Sequence, residues 1–82
     1  MSHFFYLARC RDDSLYSGYT IDLAKREAAH NSGKGSKYTA SRRPVEIIYS
    51  EEFAEKADAL RRELEVKKWT RAAKLKLIHT KN

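Results

Sequence analysis

Two extended segments separated by a turn open the chain and decide much of its fold. Residues 3–10 are rich in aromatic and apolar side chains and show no helical spacing, which is typical of a strand. Arg11-Asp12-Asp13-Ser14 has the composition of a turn, and Leu15-Tyr16-Ser17-Gly18-Tyr19 resumes the extended pattern. The start of the chain therefore predicts a β-hairpin.

A helix, a loop and a third strand are predicted next. Thr20 is a favourable N-cap with Asp22 in the first turn, and the helix continues to about His30, before Asn31-Ser32-Gly33 ends it. Two further elements follow: a basic loop over residues 33–44 and a strand over residues 45–49.

Two helices complete the predicted elements. Residues 54–68 form a long helix whose apolar stripe contains Ala57, Leu60 and Leu64. Thr70 caps a short helix that ends near His79. The order ββαβαα predicts an α+β fold, with a small three-stranded antiparallel sheet flanked by three helices. A chain of 82 residues has room for one domain, which we expect to span residues 1–82.

Basic groups outnumber acidic groups in the chain. There are 17 Lys and Arg against 11 Asp and Glu, which gives a net charge of +6 and a pI of about 9.6. This balance favours a polyanionic partner, most often nucleic acid. The single cysteine, Cys10, excludes an internal disulfide. Neither a membrane-spanning run nor a signal-peptide core is visible, so we expect a cytoplasmic protein that does not enter a membrane.

The excess positive charge is concentrated in two segments. Residues 34–43 contain no carboxylate and four cations: Lys34, Lys37, Arg42 and Arg43. Like charges crowded into a loop repel one another unless an anion relieves them, so this loop is a candidate phosphate-binding segment. From Arg61 to Lys81, eight cations accompany only Glu63 and Glu65. A solvated helix surface and a nucleic-acid-binding surface explain that second segment equally well.

Polar residues in the hairpin and in the first helix do not fit a plain hydrophobic core. The hairpin contains three tyrosines, Tyr6, Tyr16 and Tyr19, which packing alone could explain. Arg26 and His30 are four residues apart and share one face of the first predicted helix, beside an apolar stripe of Ile21, Ala24 and Ala28. An ordinary surface pair would show the same spacing.

Glu63 lies at the margin of the apolar stripe predicted for the long helix. An ion pair with Lys67, one turn later, is one explanation of this carboxylate. A divalent-metal site is the other, because a carboxylate at the edge of a buried surface is a suitable ligand.

Taken in order, these residues resemble the signature of the GIY-YIG nuclease domain, and within it the small stand-alone, largely uncharacterised bacterial subfamily. Its two triplets correspond to Phe4-Phe5-Tyr6 and Tyr16-Ser17-Gly18, with Phe4 in place of glycine and Ser17 in place of isoleucine. The remaining motifs match Arg26, His30-Asn31, the basic loop 33–39, Glu51-Glu52-Phe53 and Glu63. The resemblance covers about residues 4–78.

The resemblance implies a catalytic set of Tyr6, Tyr16, Arg26, His30 and Glu63. Glu63 would hold one divalent metal, Mg²⁺ or Mn²⁺, and Arg26 would bind the scissile phosphate through its planar fork. Tyr16 is the implied general base, while Tyr6 and His30 would orient the water or relay its proton. The four loop cations would contact the phosphate backbone without reading its sequence.

The implied function is metal-dependent hydrolysis of phosphodiester bonds in DNA, in repair or recombination. One alternative is a non-catalytic nucleic-acid-binding module, for which the basic loop would suffice. Another is a nuclease subunit that a partner protein targets, because family members with known roles generally carry an additional target-selecting domain. Metal-dependent nicking of DNA by the isolated domain separates the first hypothesis from both alternatives.

Overall fold

An antiparallel sheet of three strands organises residues 1–80, the part of the chain that the computed structural model describes. The strands are β1 (His3–Arg9), β2 (Leu15–Thr20) and β3 (Glu46–Phe53), in the spatial order β2-β1-β3. The predicted hairpin and three-stranded sheet are confirmed. Lys81 and Asn82 lie outside the described residues, and with them the ends of the predicted 1–82 domain and of the basic C-terminal segment.

Strand β3 runs beyond the predicted end at Tyr49 and reaches Phe53. Its last part pairs with the start of β1, where Phe5 lies opposite Glu51 and His3 opposite Phe53. The polar residues in this part interrupt the apolar pattern. Pairing with β1 nevertheless provides hydrogen bonds for their backbone groups, so the strand continues.

Residues 1–80 contain four helices, where the sequence predicted three: α1 (Leu23–Asn31), α2 (Lys37–Ala40), α3 (Lys56–Lys67) and α4 (Arg71–Thr80). The additional helix, α2, is a single turn inside the predicted basic loop. The Ser36 hydroxyl caps it by accepting a hydrogen bond from the Thr39 N–H at 3.1 Å. A single turn has too little periodicity to be seen in a sequence.

The predicted α+β class is confirmed. Among residues 1–80, no helix is both long and apolar enough to cross a membrane.

The N-cap of α1 is Asp22, so the prediction of Thr20 is wrong. Asp22 Oδ1 accepts a hydrogen bond from the Lys25 N–H at 3.0 Å. Thr20 is still part of β2, and its hydroxyl accepts from the Asp22 N–H at 3.2 Å. Thr and Asp are both good N-caps. Because Thr20 is the last residue of β2, Asp22 is the residue that caps the helix.

Alternate side chains of β1 enter hydrophobic clusters on opposite faces of the sheet. The cluster on one face contains Tyr6, Ala8, Cys10 and Val45, with Leu23 of α1 packed against it. The cluster on the other face contains Phe5, Leu7 and Val66, with Trp69, Leu77 and Ile78 packed against it. Helix α1 therefore covers the face that carries Tyr6, and α3 and α4 cover the other.

The apolar stripe predicted for α3 is wrong. Leu64 is 60% exposed, Ala57 is exposed and Leu60 is only half-buried. The fully buried residues of α3 are Ala59 and Val66. The apolar residues of this helix lie on two overlapping faces. The face that carries Ala59 and Val66 is the buried one, because Val66 belongs to the cluster on the sheet.

The apolar stripe predicted beside Arg26 and His30 is also wrong. Its three members, Ile21, Ala24 and Ala28, are exposed. The inward face of α1 instead carries Leu23, a half-buried Arg26 and a fully buried His30. Because polar residues occupy the buried face of α1, the apolar residues that the sequence predicted to be buried face the solvent instead.

Candidate active site

A chain of hydrogen bonds runs from the central strand into helices α1 and α2. The hydroxyl of the fully buried Tyr6 lies 2.7 Å from His30 Nε2. His30 Nδ1 lies 2.8 Å from the Thr39 hydroxyl, which in turn lies 3.0 Å from the Ser36 hydroxyl. Three elements distant in sequence are thus joined through one buried imidazole.

Arg26 bridges this chain and the loop before α2. Its Nε donates to the Tyr6 hydroxyl at 3.3 Å, and its Nη2 donates to the Gly35 carbonyl at 3.0 Å. Hydrogen bonding to Tyr6 raises the pKa of Arg26, and the neighbouring Tyr16 hydroxyl acts in the same direction. The guanidinium is therefore a permanent positive charge held between two tyrosines.

Burial decides the protonation of Tyr6 and His30. Burial raises the pKa of Tyr6; Arg26 opposes this shift, and the charge of Glu63 adds to it. Burial and the Arg26 charge lower the pKa of His30, so the imidazole is neutral near pH 7. Because Arg26 Nε can only donate, the Tyr6 oxygen accepts that hydrogen bond, and the Tyr6 hydroxyl donates its own proton to His30 Nε2. His30 then carries its own proton on Nδ1 and donates it to Thr39.

Tyr16 lies beside the chain and contacts its rings. Its ring centroid is 5.3 Å from that of His30, in an edge-to-face arrangement, and 6.3 Å from that of Tyr6. The position follows from the hairpin register, because Tyr16 pairs with Ala8 on the same sheet face as Tyr6. Tyr6, Tyr16, Arg26 and His30 are therefore brought together.

Glu63 is half-buried and lies on the inward side of α3, one turn after the buried Ala59. Its charge contributes to the raised pKa of Tyr6, so the carboxylate is electrostatically coupled to the cluster. Within residues 1–80 it forms no ion pair, and the pair with Lys67 is absent. No group of three or more His, Cys, Asp and Glu side chains is arranged for a metal in the same range. A metal here would depend on Glu63 and water ligands.

Two glycines make room for the cluster. A Cβ atom at Gly18 would overlap the ring and hydroxyl of Tyr6, and one at Gly35 would overlap the His30 ring. Gly18 belongs to the second triplet, whereas sequence reasoning gave Gly35, Ser36 and Thr39 no individual role. The one indication in the sequence that these three residues belong to the site is their position in the basic loop 33–39, which the resemblance matched.

Asn31 holds the end of α1 against the start of β3. Its side-chain Nδ2 donates to the Val45 carbonyl at 2.8 Å, and its Oδ1 accepts from the Val45 N–H at 2.7 Å. Because His30 directly precedes Asn31, this contact also fixes where the imidazole enters the core.

The four predicted phosphate-binding cations fall into two kinds. Lys34 and Lys37 are exposed. The arginines bind carbonyls of their own chain: Arg43 Nε donates to Ala40 at 2.9 Å, and Arg42 Nη1 donates to Tyr38 at 2.8 Å. Their contact with nucleic acid stays a prediction.

Comparisons with known proteins identify the family of this chain. A family model described as the GIY-YIG catalytic domain matches residues 2–76. The chain belongs to the GIY-YIG family. This nuclease family generally uses a divalent metal, and its membership suggests nucleic-acid binding.

The relatives of this GIY-YIG domain include small bacterial proteins, as the resemblance predicted. A UPF0213 protein of Staphylococcus haemolyticus is 51% identical over 76 residues, covering 93% of each chain. One from Bacillus pumilus is 56% identical over 73 residues, covering 89% of this chain and 74% of that protein. The solution structure of a UPF0213 protein from Bacillus halodurans matches with a TM-score of 0.64 and 42% identity, covering 99% of this chain and 86% of that one. A solution structure from E. faecalis has a TM-score of 0.66 and 44% identity, covering 98% and 85%.

Proposed function

We propose that this GIY-YIG domain is a cytoplasmic endonuclease that hydrolyses phosphodiester bonds in DNA during repair or recombination. The observation that supports the proposal is the convergence of Arg26, Tyr6, Tyr16 and His30 in one hydrogen-bonded and ring-packed cluster. Hydrolysis needs positive charge at the scissile phosphate and a group that takes a proton from water. The cluster contains residue types suited to both tasks.

Arg26 is the proposed phosphate-binding residue. Its bonds to Tyr6 and Gly35 hold the guanidinium plane in one orientation before substrate arrives. A planar guanidinium can donate to two phosphate oxygens at once, a geometry that lysine lacks. Because the group is half-buried, its charge is less screened than that of a surface arginine.

Tyr16 is the proposed general base. A phenol takes a proton from water more readily when positive charge beside its oxygen stabilises the phenolate. The Arg26 guanidinium provides that charge. Tyr6 and His30 relay the proton that the attacking water gives up, because the neutral imidazole accepts from the Tyr6 hydroxyl at Nε2 and donates to Thr39 from Nδ1.

Glu63 is the residue proposed to hold one divalent metal, Mg²⁺ or Mn²⁺. A half-buried carboxylate with no ion pair among residues 1–80 suits a hard cation that keeps several of its waters. When bound, such a cation stabilises negative charge on the phosphate and on the leaving oxygen.

Lys34 and Lys37 are the proposed contacts with the DNA backbone outside the cleavage site. Both are exposed, Lys34 between α1 and α2 and Lys37 at the first position of α2, close in sequence to Gly35, which touches Arg26 and His30. Such contacts fix the position of the duplex without reading its sequence. Selection of a target would then depend on DNA structure or on a partner protein.

The test is cleavage of branched and single-stranded DNA by the purified chain with Mg²⁺ or Mn²⁺. The expected result is nicking that EDTA abolishes. Metal-independent binding with no cleavage of any substrate would instead support the non-catalytic module. Cleavage only after a second protein is added would support the targeted subunit.

Glu63→Gln is the sharpest variant for the metal. It keeps the side-chain shape and removes the charge, so we expect metal-dependent cleavage to be lost while DNA binding stays within about twofold. Glu65→Gln is the matched control, because Glu65 is exposed and pairs with Arg62. Equal effects of the two substitutions on the cleavage rate would remove Glu63 from the site.

A further inference from the structure

Arg42 and Tyr38 form a stack that ends on the proposed general base. The Arg42 guanidinium carbon lies 3.9 Å from the centroid of the Tyr38 ring. The Tyr38 ring stacks on Tyr16, with centroids 6.1 Å apart and planes inclined by 27°. Tyr16 in turn meets His30 edge-to-face. A half-buried arginine is thus connected, ring by ring, to the centre of the cluster.

Two of the three guanidinium nitrogens of Arg42 donate hydrogen bonds within the protein. Its Nε donates to Asp12 Oδ2 at 3.1 Å and its Nη1 to the Tyr38 carbonyl at 2.8 Å. Its backbone carbonyl also accepts a hydrogen bond from the Arg11 N–H at 2.9 Å. Asp12 and Arg11 belong to the turn of the hairpin that carries Tyr16, so Arg42 ties this turn to α2.

Helix α2 needs such a tie. A single helical turn is not stable by itself, because the cost of nucleation exceeds the gain from its few hydrogen bonds. Three contacts join α2 and its C-terminal flank to the hairpin: the Arg11–Arg42 backbone hydrogen bond, the Asp12–Arg42 ion pair and the Tyr16–Tyr38 stack. The ion pair and the stack have matched spacing, since Asp12 and Tyr16 are four positions apart and so are Tyr38 and Arg42.

We propose that Arg42, anchored by Asp12, is a positioning residue that holds Tyr38 against Tyr16. It thereby fixes the Tyr16 phenol beside Arg26. The proposal rests on the proposed function and gives Arg42 a different role from the phosphate contact that the sequence predicted. Ion pairs and cation–π contacts at exposed sites are individually weak. Their loss should therefore affect the rate more than the fold.

Arg42→Ala separates the two roles of this arginine. A phosphate contact contributes about 0.9 to the slope of log K against log salt on duplex DNA. A positioning residue contributes nothing to that slope but lowers the single-turnover cleavage rate at saturating DNA. We expect an unchanged slope and a rate reduced at least about tenfold, since small misplacements of catalytic groups are costly. A slope smaller by about 0.9, with an unchanged rate, would overturn the proposal.

Arg9→Ala is the matched control for Arg42→Ala. Arg9 is the last residue of β1 and, like Arg42, pairs with one exposed carboxylate, in this case Glu46 at 3.4 Å. Its removal takes away the same charge and a similar ion pair, so both slope and rate should stay at the wild-type values. A rate loss in Arg9→Ala as large as that in Arg42→Ala would show a general charge effect and refute positioning.

Substitutions of Tyr38 and Asp12 test the stack by a separate route. Tyr38→Phe keeps the ring and should retain most of the rate that Tyr38→Ala loses. Asp12→Asn keeps Arg42 itself but removes its anchor, so it should lower the rate and not the slope. Equal rates in Tyr38→Phe and Tyr38→Ala would contradict a role for the ring.

The aromatic NMR signals of Tyr16 provide a measurement that does not require cleavage. Arg42→Ala should shift these signals, because the Tyr38 ring moves relative to Tyr16, whereas Arg9→Ala should leave them in place. If the wild-type chain fails to cleave DNA, the proposed function fails, and the NMR comparison still decides whether Arg42 positions Tyr16. Unshifted Tyr16 signals in Arg42→Ala would refute the positioning role.

Discussion

Arg26 shows how much one side chain can organise in a domain of this size. Its Nε and Nη2 are directed to a tyrosine on the central strand and to the carbonyl of a glycine in the loop before α2. Lysine could place its charge near one of these partners but could not reach both with fixed geometry. The residue therefore combines charge with orientation, and the two contributions can be separated experimentally.

We predict that Arg26→Lys reduces the single-turnover cleavage rate on the order of 10²–10³-fold, as removal of one preorganised stabilising group does. Loss of a hydrogen bond should also lower the free energy of unfolding by about 1 kcal/mol. The measurements are a denaturant titration and a cleavage time course with Mg²⁺ or Mn²⁺. A stable variant with a near-normal rate would return Arg26 to a purely structural role.

His30 makes stability depend on pH. Its pKa is lowered in the folded protein, so the unfolded chain binds more protons below the ordinary histidine pKa of about 6.5. The free energy of unfolding should therefore be fully present above that pH and fall on acidification, until the pH passes the folded pKa. Urea titrations at pH 7 and pH 5 measure the difference.

The matched pair for this pH effect is His30→Gln and His79→Gln. The first should remove most of the pH dependence that is due to histidine. His79→Gln should leave the pH dependence of stability as it is in the wild type, because His79 is exposed at the end of α4. Identical pH dependence in wild type and His30→Gln would contradict the assignment.

Among the secondary-structure elements, α1 contributes most to the candidate site. It presents Arg26 and His30 inward, and Asn31 ties its last turn to Val45, the residue before β3, through two hydrogen bonds. The helix is short, and its inward face contains few apolar groups. Its position therefore depends on polar contacts to a greater extent than that of α3, which buries Ala59 and Val66.

We predict that Asn31→Ala lowers the free energy of unfolding by about 2 kcal/mol, since two hydrogen bonds to the buried backbone of Val45 are lost. Ser32→Ala is the control: the Ser32 hydroxyl donates to the Ala29 carbonyl at an exposed helix end. Its removal should change stability by less than about 0.5 kcal/mol. Equal losses in the two variants, measured by urea titration, would mean that Asn31 is not a special contact.

The sequence predicted the strands better than the helix faces, for a physical reason. The hairpin is visible because two extended segments rich in aromatic and apolar residues flank a clear turn. The inward face of α1 could not be predicted from hydrophobicity, because Arg26 and His30 occupy it while Ile21 is 53% exposed. The resemblance named the residues of the cluster, but Gly35 and Thr39 act through close contacts with His30 that only the folded chain creates.

For the molecule as a whole, the net charge of +6 is the main source of affinity for a polyanion. Several of the arginines are held in ion pairs with carboxylates: Arg9, Arg42, Arg61 and Arg62. Lys34 and Lys37 are exposed in a segment that contains no carboxylate. These two lysines should therefore contribute more to DNA binding than their number suggests.

We predict that the double variant Lys34→Ala, Lys37→Ala reduces the slope of log K against log salt by about 1.8, at about 0.9 per phosphate contact. The fold should be unaffected, because both side chains are exposed. Arg9→Ala with Arg61→Ala removes the same charge from ion-paired positions and should leave the slope unchanged. Equal slopes in the two double variants would place the DNA elsewhere on the protein.

The candidate site is assembled from parts that open on very different timescales. Tyr6 belongs to a strand that is paired on both sides, and such backbone exchanges its amide hydrogens only when most of the domain unfolds. Thr39 belongs to a helix of four residues, which opens by local fluctuation at far lower cost. Release of Thr39 would free the imidazole of His30 while the phenol of Tyr6 stays in its strand. Local opening of α2 would therefore release one end of the hydrogen-bonded chain while the sheet stays intact.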